Sequence, residues 1–188
     1  MEEHELVRRS QDGDREAFTA LVRNYQAKVH SLAYGFTRND AQADDLAQDI
    51  FLKAWLGLSK FRFRSGFGTW LYRIAVNHVK DHLRKRASSR EIPLQEDSVR
   101  AASRTAPPAD REAGEKERRA ELVRDCLAGL PEKFRMILTL RDVQGLSYED
   151  LSRTLRLSAG TVDSRLFRAR KMLRRRVESR ISGERRSP

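Results

Sequence analysis

The sequence predicts an all-α protein of two small helical domains joined by a flexible linker, with a helix-turn-helix in the C-terminal domain. Apolar residues recur at helical spacing in both halves, and no run alternates as a half-buried strand would. Residues 88–116 hold three of the five prolines and few large aliphatic residues. Near the C-terminus, one helix-start pattern occurs twice, eleven residues apart. These observations predict domains at 1–87 and 117–182 and a linker at 88–116.

In the N-terminal half, the pattern predicts helices at 14–34 and 42–58, a loop rich in Gly and Phe at 61–68, and a helix from 69 to about 85. The helix at 42–58 carries an apolar stripe that we expect to face the core. Its members are Leu46, Ala47, Ile50, Phe51, Ala54 and Leu58.

In the C-terminal half, a helix is predicted at 117–128, and Pro131 suits the first turn of the next one. Ser147 and Ser158 are natural N-caps for two further helices. Each cap is preceded by a leucine that can pack on an apolar residue five positions later, as a hydrophobic staple requires. The pairs are Leu146 with Leu151 and Leu157 with Val162. Two capped helices with so short a connection predict a helix-turn-helix.

The second of these helices has two distinct faces. The inward stripe is predicted to be Val162, Leu166, Ala169, Leu173 and Val177. The outward face combines a hydroxyl, cations and one aromatic ring, which suit the edges of bases in a major groove. Its members are Ser164, Phe167, Arg168, Lys171 and Arg175, with Asp163 and Arg174 at the edges. The alternative is a solvated basic helix in an ordinary helical domain.

The charge is strongly basic and unevenly distributed. The 188 residues contain 38 Lys and Arg against 27 Asp and Glu, a formal net charge of +11. Residues 60–90 and 164–188 each carry +8, whereas residues 1–59 carry −3 and 91–116 carry −2. Two separate basic blocks indicate two surfaces that contact nucleic acid.

Composition argues against several other classes of protein. Cys126 is the single cysteine, so neither an internal disulfide nor a cysteine-based zinc site is expected. The chain has no apolar run of membrane-spanning length and no evident signal peptide, and we expect a cytoplasmic protein without membrane contact of its own. His78 and His82 have the spacing of a metal pair, but no third ligand is evident. We therefore expect no metal, no cofactor and no catalytic residues.

The first basic block interleaves cations with aromatic rings, as proteins that bind unpaired nucleic acid do. Its aromatic residues are Phe61, Phe63, Phe67, Trp70 and Tyr72, and its cations include Arg62, Arg64 and Arg73. On the following helix, Arg73, Asn77, Lys80 and Arg84 share one face, while Leu71, Ala75 and Val79 lie on the other. Core packing is the competing use of the rings, and we expect Trp70 and one or two Phe to be buried.

The helix at 42–58 has an outer face that is both acidic and apolar, which suggests a protein partner. This face combines Asp45, Gln48 and Asp49 with Leu52, Trp55 and Leu56, and Asp44 flanks it. The alternative is a helix that is buried on both sides.

Three segments resemble, in this order, regions of a bacterial extracytoplasmic-function (ECF) sigma factor. They are DDLAQDIFLKAW, FRFRSGFGTWLYRIAVNHVKDHLRK and LPEKFRMILTLRDVQGLSYEDLSRTLRLSAGTVDSRLFRARKMLR. The resemblance implies a two-domain factor that binds core RNA polymerase and directs it to promoters. It also implies an anti-sigma factor that holds the protein inactive.

The same resemblance assigns roles to residues. The implied polymerase-docking surface is Asp44, Asp45, Gln48, Asp49 and Leu52. The −10 element would be melted and its unpaired strand read by the 61–68 loop, with Phe61, Arg62, Phe63, Arg64 and Phe67, and by Arg73, Asn77, Lys80 and Arg84. The duplex −35 element would be read by Ser164, Arg165, Phe167, Arg168 and Lys171.

The chain departs from the family pattern at two places. After Phe61 and Arg62 the family usually has Gly and an acidic residue, where this chain has Phe63 and Arg64. Many members carry a basic residue at the position of Asp163. We therefore expect a promoter preference of its own. The competing function is a helix-turn-helix regulator with a ligand-sensing N-terminal domain, which would not need a basic and aromatic block at 61–86.

Overall fold

The computed structural model describes residues 2–89 and 111–184, and the side chains of 2–88 and 114–182. These residues form helices and no β-strand, which confirms the all-α prediction. The first half contains α1 (Glu3–Gln11), α2 (Arg15–Thr37), α3 (Asp40–Gly57) and α4 (Phe67–Ser89). The second contains α5 (Arg111–Ala128), α6 (Glu132–Leu138), α7 (Tyr148–Leu155) and α8 (Ala159–Glu184). Helix α1 was not predicted from the sequence.

The chain divides into two compact units. The first consists of Met1–Asp97 together with Glu149–Leu157, and the second of Ser98–Tyr148 together with Ser158–Pro188. Most of the predicted linker, residues 90–110, lies outside the described residues. Its last residues are helical, because α5 begins at Arg111 and not at the predicted residue 117.

Polar caps set the starts of the helices in the first unit. The carboxylate of Asp14 accepts from the N–H groups of Glu16 and Ala17, at 2.9 and 3.0 Å, and so begins α2. The pKa of Asp14 is lowered, most strongly by the hydrogen bond from Ala17 and next by the guanidinium of Arg9. The amide of Asn39 accepts from the Gln42 N–H at 3.0 Å and begins α3.

The core of the first unit is built around α3, which packs against both α2 and α4. Of the predicted α3 stripe, all members but Phe51 are buried, and Phe51 is half-buried. The facing residues are also apolar and fully buried, among them Leu21, Val29 and Leu32 of α2 and Leu71, Ala75 and Val79 of α4. The helical periodicity therefore identified the core face correctly.

Helix α1 and the start of α4 both contact Tyr25 of α2. The Tyr25 hydroxyl donates to Glu3 Oε2 at 2.5 Å, and burial together with this carboxylate raises the pKa of Tyr25. Gly68 lies so close that a Cβ there would stand 2.7 Å from the Tyr25 oxygen. The absence of a side chain at Gly68 thus permits α4 to begin against α2.

In the second unit, α5 and α6 pack against α8. The interior is apolar and includes Cys126, Leu130, Ile137, Leu140, Val162, Leu166 and Ala169. Within the described parts of the chain, no helix is both long and apolar enough to cross a membrane.

We predict that Ile50→Ala lowers the stability of the first unit by about 2–5 kcal/mol, because it leaves a cavity where a fully buried side chain packs. Leu52→Ala on the same helix is the matched control. Its side chain is 56% exposed, so the expected change is within about 0.5 kcal/mol. Urea unfolding of the two variants measures both effects. Equal losses in the two variants would contradict this assignment of the α3 faces.

Candidate nucleic-acid interface

The aromatic residues of the first basic block divide between core and surface. Phe61 and Phe67 are buried, and both pack on Trp70, with ring centroids 5.2 and 5.7 Å away. Burial of these two rings confirms the expectation that one or two Phe complete the core. A contact of Phe61 and Phe67 with DNA stays a prediction, and it would require their rings to leave the positions they occupy here. Trp70, which was expected to be buried, is only half-buried.

The loop that follows Phe61 is held from α1 by a side chain that the sequence did not single out. Gln11 Nε2 donates to the carbonyl oxygens of Leu58 and Phe61, at 2.9 and 2.8 Å. One amide thereby satisfies two backbone acceptors at the point where the chain leaves the short 3₁₀ turn Leu58–Lys60. Nothing in the pattern around Gln11 could reveal this role, because its partners lie about fifty residues away.

Beyond Phe61, the loop places two cations in solvent. Arg62 and Arg64 are both exposed, whereas Phe63 between them is half-buried. The Phe63 ring lies 4.4 Å from the His4 ring and 4.9 Å from the Phe61 ring, centroid to centroid. The predicted cations of the loop are thus accessible to a ligand, and its central ring is partly used by the protein itself.

Helix α4 separates its polar and apolar faces as predicted. Leu71, Ala75 and Val79 are fully buried. The predicted contact residues are all exposed: Arg73, Asn77, Lys80 and Arg84. An ion pair joins Arg84 to Asp81 on the same helix, but such an exposed pair is weak and can exchange for a phosphate.

The outer face of α3 is exposed within the first unit, although Asp44 and Asp49 each contact a histidine, His30 and His78. Asp44, Asp45, Gln48, Asp49 and Leu52 are all exposed, and Leu56 is 69% exposed. The alternative of a helix buried on both sides is therefore wrong for this unit. Trp55 does not belong to this exposed face, because it is half-buried with its ring 4.9 Å from Phe18 of α2.

His78 connects α4 to the acidic helix. Lys53 Nζ lies 2.6 Å from His78 Nδ1, and His78 Nε2 lies 3.2 Å from Asp49 Oδ2. With Nδ1 accepting and Nε2–H donating, the imidazole links two residues of α3 to α4. His82, one turn further, has a buried Nε2 without a hydrogen-bond partner. Burial, with a smaller contribution from nearby basic groups, lowers the pKa of His82.

His78 and His82 lie one turn apart on α4, at the spacing of a metal pair. Across residues 2–89 and 111–184, no group of three or more His, Cys, Asp or Glu is arranged to hold a metal ion. His78 instead serves the contact between α3 and α4 described above.

The connection between α7 and α8 has the chain layout of a helix-turn-helix. Helix α7 ends at Leu155, and Arg156 adopts a left-handed conformation with φ of 55°. The Leu157 N–H then donates to the Ser152 carbonyl at 3.1 Å, which is the long bond of a Schellman motif. Ser158 caps α8 by accepting from the Thr161 N–H at 3.3 Å, as the sequence predicts.

Helix α8 presents the predicted outward face. Val162, Leu166 and Ala169 are buried inward, and the next two members of that stripe, Leu173 and Val177, are half-buried. Phe167, Arg168 and Lys171 are exposed, with Phe167 at 69%. Ser164 and Arg165 are half-buried, and the Ser164 hydroxyl donates to the Thr161 carbonyl at 3.2 Å.

The segment that precedes α7 is joined to α8 by residues that the sequence reading did not identify. Arg170 of α8 forms a two-pronged pair with Asp142, at 2.7 and 3.3 Å, and this carboxylate raises the pKa of Arg170. Arg141 donates to the Leu146 carbonyl at 2.6 Å, and its guanidinium lies over the Tyr148 ring at 5.2 Å. These contacts hold the turn beside the outward face of α8.

Two family models match the chain. The model of Sigma-70 region 2 matches residues 21–89, which include α3, the 61–66 loop and α4. The model of Sigma-70 region 4 matches residues 120–173, which include α7 and the outward residues of α8 up to Lys171.

Whole-length relatives agree with these matches. The chain is 40% identical over 182 residues to the ECF RNA polymerase sigma-E factor of Haemophilus influenzae, with 92% of this chain and 94% of the relative covered. It is 38% identical over 183 residues to the sigma-E factor of Escherichia coli K12, with 94% of each chain covered. With the RNA polymerase sigma-H factor of Pseudomonas aeruginosa, the identity is 39% over 179 residues and 92% of each chain.

Solved structures share the fold. The structure of CnrH in complex with the cytosolic domain of CnrY aligns with a TM-score of 0.69 at 25% identity, covering 93% of this chain and 96% of that one. The sigma factor RpoE, solved with the anti-sigma factor NepR from Bartonella quintana, aligns with a TM-score of 0.66 at 23% identity, covering 86% and 96%. With two sigma-70 regions in order and relatives near 40% identity along its length, the chain belongs to the ECF family of RNA polymerase sigma factors.

Proposed function

We propose that this sigma factor binds core RNA polymerase through the outer face of α3 and reads promoter DNA with two separate surfaces. The loop at 61–66 and the polar face of α4 bind the unpaired strand of the −10 element. The outward face of α8 binds the duplex −35 element. The observation that carries the proposal is that the exposed residues of all three surfaces lie within the two sigma-70 region matches.

The assignment of the polymerase surface is supported by the exposed leucines and carboxylates on α3. Leu52 and Leu56 are 56% and 69% exposed and lie one helical turn apart, so they form one apolar patch. Exposed carboxylates lie on the same face, with Asp45 and Asp49 closest in sequence to Leu52. An apolar centre with an acidic rim suits a basic protein groove, in which the leucines would be buried and the carboxylates paired.

The assignment of the −10 surface is supported by exposed cations that lie on buried aromatic rings. Arg62 and Arg64 on the loop and Arg73 and Lys80 on α4 are exposed, while the rings of Phe61 and Phe67 are committed to the core. A surface of this kind binds the phosphates of an unpaired strand, and Asn77 adds a group that can read a base edge.

The −35 surface is supported by the exposed face of α8. Arg168 can form two hydrogen bonds to a guanine edge, and the exposed Phe167 ring can contact a thymine methyl. Lys171, one turn further along the helix, suits a phosphate.

As a sigma factor the protein acts by binding, and we propose no chemistry of its own. Its proposed place of action is that of RNA polymerase, in the cytoplasm. An anti-sigma factor is the further proposed partner, as family membership implies. RpoE, which shares the fold, was solved in complex with such a factor.

Run-off transcription with purified core polymerase on a genomic fragment library tests the function directly. We expect new transcripts whose start sites share two upstream elements when the protein is added. If the protein starts no new transcript, although it binds core polymerase in a pull-down, the proposed function is wrong.

We predict that Leu52→Arg weakens binding to core polymerase at least about tenfold, because a charge replaces an apolar anchor at the proposed interface. The side chain is exposed, so the variant should keep the stability of the parent. Fluorescence anisotropy with labelled protein measures the affinity, and Asn24→Ala, an exposed change on α2, is the control. An unchanged dissociation constant would remove Leu52 from the interface.

We predict that Arg168→Ala weakens use of the −35 element by about tenfold to a hundredfold and relaxes base preference at one position, because a two-bond contact to a base is lost. Arg118→Ala removes an exposed cation from α5 and is the charge-matched control. Promoter selection by the reconstituted holoenzyme from a library randomised at −35 measures the preference. Identical selected sequences for both variants would contradict the assignment of this face.

A further inference from the structure

The loop residue Phe63 adopts a backbone conformation that side chains rarely take. Its φ is +55°, in the left-handed region that glycine occupies freely. A bulky residue persists in this region only where the surrounding contacts hold it there. The contacts of the Phe63 ring should therefore explain what fixes the loop.

The ring of Phe63 lies between α1 and the core. On one side is the His4 ring, at 4.4 Å and tilted by 45°, and on the other is the buried Phe61 ring, at 4.9 Å. The guanidinium of Arg8 lies 5.9 Å from the Phe63 ring centroid. Phe61 in turn packs on Trp70 of α4. A continuous series of aromatic contacts thus runs from α1 through the loop to α4.

Two hydrogen bonds to the backbone also hold the start of the loop against α1. Gln11, at the end of α1, donates to the carbonyls of Leu58 and Phe61. Helix α1 is itself tied to the start of α2 by the pair between Arg9 and Asp14, at 2.6 Å. The loop therefore rests on α1 through a ring contact and an amide, and α1 lies outside the residues that match Sigma-70 region 2.

We propose that Phe63 is a positioning residue for the −10 reader: its ring, held between His4 and Phe61, fixes the loop so that Arg62 and Arg64 bind the phosphates of the unpaired strand. This inference rests on the proposed function of the loop. It makes α1 part of the promoter-reading apparatus, although α1 need not touch DNA. Arg62 and Arg64 flank the fixed ring and are both exposed, so a fixed backbone reduces the freedom that each side chain loses on binding.

The test measures binding of the reconstituted holoenzyme to a template with an unpaired −10 strand, previously selected by the wild-type holoenzyme from a randomised library. Affinity is recorded over a series of salt concentrations, because each phosphate contact contributes about 1 to the slope of log affinity against log salt. Arg62→Ala and Arg64→Ala should each lower the slope by about 1.

Phe63→Gly removes the ring, keeps the net charge and suits the left-handed backbone, so the loop becomes mobile without strain. We expect this variant to lose about tenfold in affinity and to lower the salt slope as Arg64→Ala does. Phe63→Tyr keeps the ring and should retain wild-type binding. His4→Ala, an exposed change on α1, should act in the same direction as Phe63→Gly, and Asn24→Ala on α2 should change nothing.

The outcomes separate the two hypotheses. If Arg62→Ala and Arg64→Ala lower the slope and Phe63→Gly does not, the positioning role is wrong and the loop function stands. A lower unfolding temperature of Phe63→Gly with an unchanged slope would likewise reduce Phe63 to a stabilising residue and overturn the inference. If neither arginine variant changes binding of the unpaired strand, the proposed −10 function of the loop is itself wrong.

Discussion

Burial of one face of α3 is the constraint on which the first unit depends. Ile50 and Ala54 have no exposed surface, and α3 is the helix that packs on both α2 and α4. Full burial of a residue such as Ile50 contributes about 1.5–3 kcal/mol, so the rotation of α3 about its axis is strongly fixed. Because that rotation is fixed, the opposite face with Leu52 and Leu56 has to remain in solvent. The surface proposed for RNA polymerase is in this sense a consequence of the core.

In the aromatic and basic block, too, burial of some side chains leaves their neighbours exposed. Phe61 and Phe67 complete the core at the start of α4, and Phe63 is half-buried. Arg62 and Arg64 beside them are exposed. Rings that are buried cannot stack on bases, but they give the exposed cations a rigid support. Binding of a flexible strand costs less when the protein groups that meet it are already ordered.

In the second unit, the outward face of α8 is fixed by local and by distant contacts. The Ser158 cap sets the residue at which α8 begins, and burial of Val162, Leu166 and Ala169 sets its rotation. The pair between Arg170 and Asp142 connects α8 to the segment ahead of α7. Together these contacts determine which side chains are exposed on the outward face, among them Phe167 and Arg168.

Local patterns predicted the helices that follow α1, the Ser158 cap, the buried stripes of α3, α4 and α8, and the two basic blocks. Each of these depends on residues within a turn or two of one another. Packing of the helices decided which of Phe61, Phe63 and Phe67 are buried. The three are alike in type, and the predicted loop at 61–68 has no periodicity to rank them. Packing also decided the roles of His4, Gln11 and His78, whose partners lie on other helices. Contacts between residues far apart in the chain leave no local pattern, and they appear only when the helices pack.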